Sequence, residues 1–473
     1  MGCVSVTQSD QMPRFLVLAL AATLAAWSQS TEEVRIDTEH PRLLLPARRL
    51  KLLKRERERQ SIRWQQLELL MTGGARMPEP GFSQALYYQI TGDEGWGRKA
   101  VGWALDPSAQ EARQLALVFD WCQPVLTPPQ SAALVAKLRK TLDQPPSKAS
   151  DIPSVRDRVF AALALAGHVP KAPETLLQAV LNQWWTGKMK PQFDDGGARV
   201  PRRDIYALTE ILHAVRDNLN LDLRETSPTF FKELPVYHLL SHYPASYPAA
   251  ENEYRIPVFD GQNEPDLDQA ALSRAAELAM VAFDSNALET QFLQGWLTRD
   301  RFLMRGAFGI AYEFLWANPY QPGLSVYHMP LWFHDPRSGR LIARSSWEED
   351  ADWFGHLDGF TQFFSGGRIQ PVDLRTATST IQVSEATIVF PRQASRYRTA
   401  TETTKALFVV GLKPHQDYDI EVDDEEMREV QTDADGILAV EVTPGSKGGL
   451  RLAPAHRPPG ASSRPPSRAS ETQ

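Results

Sequence analysis

The stretch Ile342-Ala-Arg-Ser-Ser-Trp-Glu-Glu-Asp-Ala-Asp-Trp-Phe-Gly-His-Leu-Asp-Gly-Phe360 is where this chain changes character. Before it, apolar residues recur every three or four positions between prolines and glycines, which is the period of helices. After it, short β-branched or alternating segments separated by turn residues read as strands. The expected fold class is therefore α+β, multidomain. The same stretch sets His356 two residues from Asp358, close to three aromatic side chains, and a junction between an α part and a β part is a natural place for a cleft.

With 473 residues the chain exceeds one compact core and fits two or three domains. Its formal charge of −7 is spread along the sequence without a basic stripe, which excludes nucleic acid as an expected partner. Cys3 and Cys122 are the only cysteines, so neither a disulfide framework nor a cysteine metal site is expected. Cys122, beside Trp121 in a helical pattern, reads as a small buried apolar residue. The 12 tryptophans suit sugar stacking, although core filling is the commoner use of the residue.

At the N-terminus Arg14 precedes an apolar run over residues 15–27, too short for a membrane span and ending near Ala25, Ala26 and Ser28. We read residues 1–30 as an export signal, with a truer start at Met12. The mature protein is expected to be periplasmic or secreted and to lack a membrane span. Helical segments fill 31–325, with single stretches expected over 50–71, 202–221 and 287–316. A β-sandwich-like domain is expected over 326–453. There Leu412-x-Pro414-x-x-x-Tyr418-x-Ile420-x-Val422 has the pattern of a sandwich corner, in which a tyrosine bonds nearby backbone. Residues 454–473, rich in Pro, Ser and Arg, read as a disordered tail.

Three constellations could carry chemistry. Along 202–221, Ile205, Leu208, Leu212, Val215 and Leu219 form an apolar stripe, and Arg203, Tyr206, Glu210, His213 and Asp217 follow the same rhythm on the opposite face. A solvated face with paired charges is the preferred reading of that polar stripe. Its N-terminal end, Arg199 to Tyr206, is the best functional candidate, able to supply an acid or base and a carboxylate clamp. Residues 234–265, rich in Tyr, Pro, His and Asn, lack a helical period and read as a long loop. It carries His238, His242, Tyr243, Tyr247, Asn252, Tyr254 and Arg255, as functional groups or as a connector packed on helices. His356 and Asp358 make a base with its orienting carboxylate, half of a metal site, or an ion pair at a turn. The run Asp423-Asp-Glu-Glu426 lacks the spacing of a calcium loop and reads as a solvated turn. No cofactor and no metal are expected.

Several segments together resemble the heparinase II/III-like polysaccharide lyases and their alginate-lyase relatives. They are His40-Pro-Arg-Leu-Leu-Leu-Pro46, Tyr87-Tyr-Gln-Ile-Thr-Gly-Asp93, Ala116-Leu-Val-Phe-Asp-Trp-Cys122, Phe193-Asp-Asp-Gly-Gly197 leading into Tyr206-Ala-Leu, and Arg344-Ser-Ser-Trp-Glu-Glu-Asp-Ala351. The resemblance implies an incomplete α/α toroid followed by antiparallel β-sheets. It also implies cleavage of uronate chains by β-elimination, in which a carboxylate is neutralised, a Tyr or His base takes the neighbouring proton, and a Tyr acid protonates the leaving oxygen. Tyr206 and His356 fall on the family's catalytic stretches. The family's Asn-His pair has no counterpart, the helix reading Asp151-Ile-Pro-Ser-Val-Arg-Asp-Arg158, and Arg202-Arg203-Asp204 replaces a tyrosine-histidine step. Arg156, Arg158, Arg202 and Arg203 either take over neutralisation or mark a loss of the chemistry.

The resulting expectation is an exported protein that binds or cleaves an acidic polysaccharide. Tyr206 would act as acid or base and Arg203 as the carboxylate partner, with His242, Tyr243, Tyr254 or His356 as the second catalytic group. Arg199, Arg202, Asn252, Arg156 and Trp353 would contact substrate. Two alternatives stay open. One is an inactive glycan-binding or envelope protein on the same scaffold. The other is a glycoside hydrolase drawing two carboxylates from Asp194, Asp195, Glu251 and Glu253.

Overall fold

A computed structural model describes residues 36, 39–143, 145–147, 150–194, 200–248, 253–261, 263–300, 304–318, 320–357, 359–394, 397–398, 403–422, 427–442 and 449–455. The export segment, Arg199, Asn252, Asp358, Asp195, Glu251, the acidic run 423–426 and most of the Pro/Ser/Arg tail lie outside the described residues. Among the described residues no helix is long and apolar enough to cross a membrane.

Helices come first: α1 Ala47–Glu58, α2 Ile62–Thr72, α3 Pro80–Thr91, α4 Glu94–Leu105, α5 Ala112–Trp121, α6 Pro128–Leu142 and α7 Ile152–Leu165. After these come α8 Ala172–Ala179, α9 Lys190–Asp194, α10 Ile205–Leu219, α11 Pro228–Leu240, α12 Leu267–Phe283, α13 Leu288–Arg299 and α14 Ile310–Trp316. Helices α3, α6, α7, α8 and α11 each carry a proline as first or second residue, where its missing N–H costs nothing. This accounts for many of the prolines between helical runs. Contacts pass in succession from α3 to α5, α7, α10, α12 and α14, and α14 returns to α3.

Three expectations change here. The single stretch over 50–71 is two helices, because Gln60 adopts a left-handed φ of 49° and the Ser61 side chain caps α2 by accepting from the Trp64 N–H. The stretch over 287–316 is likewise divided into α13 and α14. The loop expected over 234–265 is largely regular. Helix α11 runs through Pro235 to Leu240, and strands β1 His242–Pro248 and β2 Glu253–Pro257 pair as an antiparallel hairpin packed on α12. A proline and tyrosines hid both periods.

The segment 40–46 is strapped onto α5. Asp120, fully buried, accepts from the Arg42 N–H at 2.9 Å and the Leu43 N–H at 2.8 Å, and its other oxygen lies 2.6 Å from His40 Nδ1. Trp121 Nε1 donates to the Leu43 carbonyl at 2.9 Å. Two of the quoted family-like segments are thus one structural unit.

Strands β3 Trp332–Asp335, β4 Arg340–Arg344, β5 Trp353–Leu357, β6 Phe360–Ser365 and β7 Arg368–Pro371 form an antiparallel meander. A second sheet holds β8 Ile381–Val383, β9 Ala386–Val389, β11 Ala406–Val410 and β14 Ile437–Glu441. A third holds β10 Tyr397–Arg398, β12 Asp417–Val422, β13 Arg428–Gln431 and β15 Gly449–Pro454. Pairing is antiparallel apart from β9 with β11, which run parallel. The β region is therefore three stacked layers, a sandwich-like packing of successive sheets. Ala406, Phe408 and Val410 face the first sheet, while Leu407 and Val409 face the third, so the uninterrupted apolar run reflects burial on both faces. The Lys413 N–H lies 3.4 Å from Tyr418 Oη, the corner contact expected from the sequence.

The outer face of the first sheet joins the helical core. Ile342, Trp353, Leu357 and Phe364 pack into the same cluster as the helices, each worth about 1.5–3 kcal/mol of burial. Trp353 Nε1 donates to the Leu240 carbonyl at 2.8 Å, closing the seam between α11 and β5.

Candidate functional site

Between the helices and the first sheet lies a cleft of about 560 Å³ lined by Arg255, Trp296, Arg299, Asp300, Trp347, Glu348, Glu349 and Asp350. One wall is the loop from β4 to β5, the centre of the stretch on which the fold turns. Arg344, 1% exposed, donates to the carbonyls of Ser346 and Glu348 and stacks its guanidinium 4.4 Å from the Trp347 ring. Burial, and then Arg255 nearby, lowers its pKa to about 9. The Ser345 N–H donates to the Asp352 carbonyl, and the Asp352 N–H donates to Ser345 Oγ, both at 2.9 Å, which fixes the loop's base.

The opposite wall comes from α13 and β2. Arg255 bridges both sides. Its Nε donates to Asp300 at 3.2 Å, its Nη2 donates to Glu349 at 2.9 Å, and its guanidinium lies 5.2 Å from the Trp296 ring. Arg299 donates to Glu348 at 2.6 Å, and Tyr327 also bonds Glu348, which holds that carboxyl below its ordinary range. The two carboxylates on Arg255 differ sharply in setting, with Asp300 at 4% exposure and Glu349 at 63%. Four carboxylates and two committed arginines leave these lining residues with a formal charge of −2 (+2 and −4).

The polar stripe of α10 is interior. Helix α10 packs on α7 along one side and α12 along the other, so its second face is enclosed and finds its partners inside. Tyr206 is 3% exposed, and its phenol oxygen accepts from Trp316 Nε1 at 2.9 Å. Burial raises its pKa well above the ordinary phenol value, and the Glu210 charge adds to this. Glu210 is clasped by Arg113, with contacts from 2.7 to 3.1 Å, and by Arg156 at 3.2 Å. Arg113 also donates to Glu79 at 2.9 Å, and the Tyr312 hydroxyl donates to that same Glu79. His213 is fully buried, with Nε2 2.9 Å from the Ala279 carbonyl, and burial drives its pKa well below the ordinary value. The preferred reading of a solvated face is therefore corrected.

The other sequence candidates scatter. The Arg203 side chain is 76% exposed, and Arg202 donates to the Val258 carbonyl. Tyr243 lies in the helix–sheet seam, its hydroxyl 2.8 Å from Gln362 Oε1, and burial raises its pKa to about 12. Tyr254 sits half-buried on β2. Trp353 is fully buried. His356 lies three positions from Trp353 on β5, so the two-residue period sends it to the opposite face, between the first and second sheets. There it meets Thr361 Oγ1 at 2.7 Å and Asp435 at 3.1 Å, remote in the layering from the helices. Asp194, from the hydrolase alternative, bonds Ser227 at 2.9 Å and also bonds Lys190.

A second cluster lies behind the cleft. His238 in the last turn of α11, His242 at the start of β1 and Glu277 on α12 bring their donor atoms within 4.8 Å of one another, all buried. Burial would raise Glu277, but the His238 hydrogen bond and the Arg274 charge outweigh it and bring the carboxyl to about 2. Arg274 Nη1 reaches Glu277 at 3.0 Å and Asp300 at 3.3 Å, so a continuous chain of ion pairs joins this cluster to the cleft. Sequence reasoning named both histidines and Arg255 but missed Glu277, Asp300 and Trp296. The four-residue spacing of His238 and His242 was the available signal. Glu277 and Asp300 sit 39 and 45 residues from the groups they meet, with no local mark.

No protein-family model matches the chain, and no curated protein matches it in sequence. Among solved structures, one protein described as a glycoside hydrolase overlays 80% of this chain and 71% of its own, with a TM-score of 0.28 and 9% identity. An overlay that loose is evidence of neither a shared fold nor a shared chemistry.

Proposed function

We propose that the protein is an exported carbohydrate-binding protein whose glycan site is the cleft between the helical and β regions, and that the cleft takes a neutral or amino sugar. The supporting observation is the cleft's lining: two tryptophans, Trp296 and Trp347, beside carboxylates that suit sugar hydroxyls and ammonium groups as hydrogen-bond acceptors. A uronate finds a poor match there. Among the described lining residues Arg255 and Arg299 are already paired, and four carboxylates would repel a further one. Elimination is likewise poorly served, because Tyr206, His242 and Tyr243 are enclosed in the interior. Export rests on Arg14 and the apolar run over 15–27.

Hydrolysis is a second reading, favoured by one feature. Asp300 and Glu349 are two carboxylates on one arginine at the cleft wall, one buried and one exposed, and glycoside hydrolysis is carried out by a pair of carboxylates. Calorimetric titration with neutral, amino-sugar and uronate oligosaccharides tests the proposal. We expect binding of the first two classes, weakened about tenfold in Glu349→Gln, a loss of ~1.4 kcal/mol. Tight uronate binding insensitive to that substitution would sink the reading. New reducing ends that vanish in Asp300→Asn would establish hydrolysis.

A further inference from the structure

The geometry points to a metal site: we propose that His238, His242 and Glu277 bind one divalent transition-metal ion of the zinc class, with a fourth position left to water. His242 Nδ1 lies 2.9 Å from the His238 carbonyl oxygen, which can only accept, so Nδ1 carries the proton. Its Nε2 therefore presents a lone pair. That atom is buried, has no hydrogen-bond partner among the described residues, and faces Glu277 Oε1 at 3.9 Å. Two acceptors facing one another in a dry interior repel unless a cation lies between them. His238 Nε2 faces the same carboxylate oxygen at 3.3 Å.

These separations fit an ion. Zinc bound tetrahedrally at about 2.0–2.1 Å holds its ligand atoms roughly 3.4 Å apart, between the two distances observed. Two imidazoles and a carboxylate are a donor set that zinc accepts in three-ligand sites with an open position. The surroundings orient two of those donors, His242 and Glu277, as second-shell groups do, while His238 Nδ1 is buried without a hydrogen-bond partner among the described residues. The His238 carbonyl selects the His242 tautomer, and Arg274 holds the other oxygen, Glu277 Oε2, at 3.0 Å while leaving Oε1 to the ion. Ser273, one turn before Glu277 on the same helical face, has a buried hydroxyl without a partner among the described residues, available to a metal-bound water. A bound ion would tie the end of α11 and the start of β1 to α12. The inference stands apart from the glycan proposal, since it rests on no residue lining the cleft.

The full chain, stripped with a chelator and dialysed, is titrated with Zn²⁺ by calorimetry, and separately with Co²⁺ while its visible spectrum is recorded. We expect one equivalent per chain, a four-coordinate Co²⁺ spectrum, and a thermal midpoint raised by a few degrees. His242→Gln and Glu277→Gln should each weaken Zn²⁺ binding at least tenfold, whereas the exposed-site control His328→Ala binds as the wild type does. Failure of the wild-type chain to take up a stoichiometric ion overturns the proposal and leaves a proton shared between His238 and Glu277. A Co²⁺ spectrum of six-coordinate, water-like character overturns it too, and that reading does not depend on any variant folding.

Discussion

Tyr206→Phe separates a structural role from a catalytic one. The substitution keeps the ring, and with it the edge contact to Tyr312 at 5.2 Å between centroids, so no cavity opens. It removes the one atom that accepts from Trp316 Nε1, at 2.9 Å, in a pair whose residues are 3% and 1% exposed. An indole N–H stranded in the interior costs about 1–3 kcal/mol. We therefore expect the urea midpoint to fall by an amount worth ~2 kcal/mol, with the denaturant slope unchanged and glycan affinity within twofold of wild type. The cycle with Trp316→Phe should show a coupling of about 1 kcal/mol or more, because the double variant leaves no donor stranded. A Tyr206→Phe protein as stable as wild type, with binding or turnover down a hundredfold, would refute the reasoning and return Tyr206 to a functional site.

Asp120→Ala should destabilise the chain by about 3 kcal/mol, since two buried backbone N–H groups lose their acceptor; denaturant unfolding measures it, and a loss under 1 kcal/mol would mean the 40–46 strap is not held by Asp120. At acid pH the neutral, buried His213 works against stability: it is held well below 6.5, so the unfolded chain takes a proton the native chain refuses. That contribution is intact above pH ~6.5 and is lost as pH falls, at up to ~1.4 kcal/mol per pH unit, and a His213→Gln series should have a flatter acid limb than wild type. At alkaline pH burial raises the Cys122 thiol from 9.0 to about 12, so stability is level below 9.0 and declines as pH rises toward 12. Cys122 in the native protein at pH ~8.5 should resist iodoacetamide until denatured, and rapid native labelling of Cys122, located by peptide mapping, would contradict the burial.

Much of the architecture was legible from local pattern. The succession of helices and then strands, the burial of Cys122 and the corner at Tyr418 depend on neighbours a few positions away, and each corresponds to an observed feature. Break points were harder. Gln60 turns the chain with a backbone conformation that its side chain does not advertise, and Pro235 sits inside a helix where a loop was expected.

What the amino-acid order by itself determined here is the succession of helices and strands and which stripe of each is apolar, because those follow from backbone periods spanning a turn or two. Which polar stripe meets water was decided only in three dimensions. Helix α10 looks amphipathic, yet α7 and α12 flank it and turn Tyr206, Glu210 and His213 inward. His356 and Trp353 look like neighbours, yet strand parity sets them on opposite faces. Arg255 meets Asp300 and Glu349, and His238 meets Glu277, across 39 to 94 residues. No local rule encodes such pairs, because the force that brings them together is burial of the apolar faces around them, and their charges are matched only once that packing has occurred.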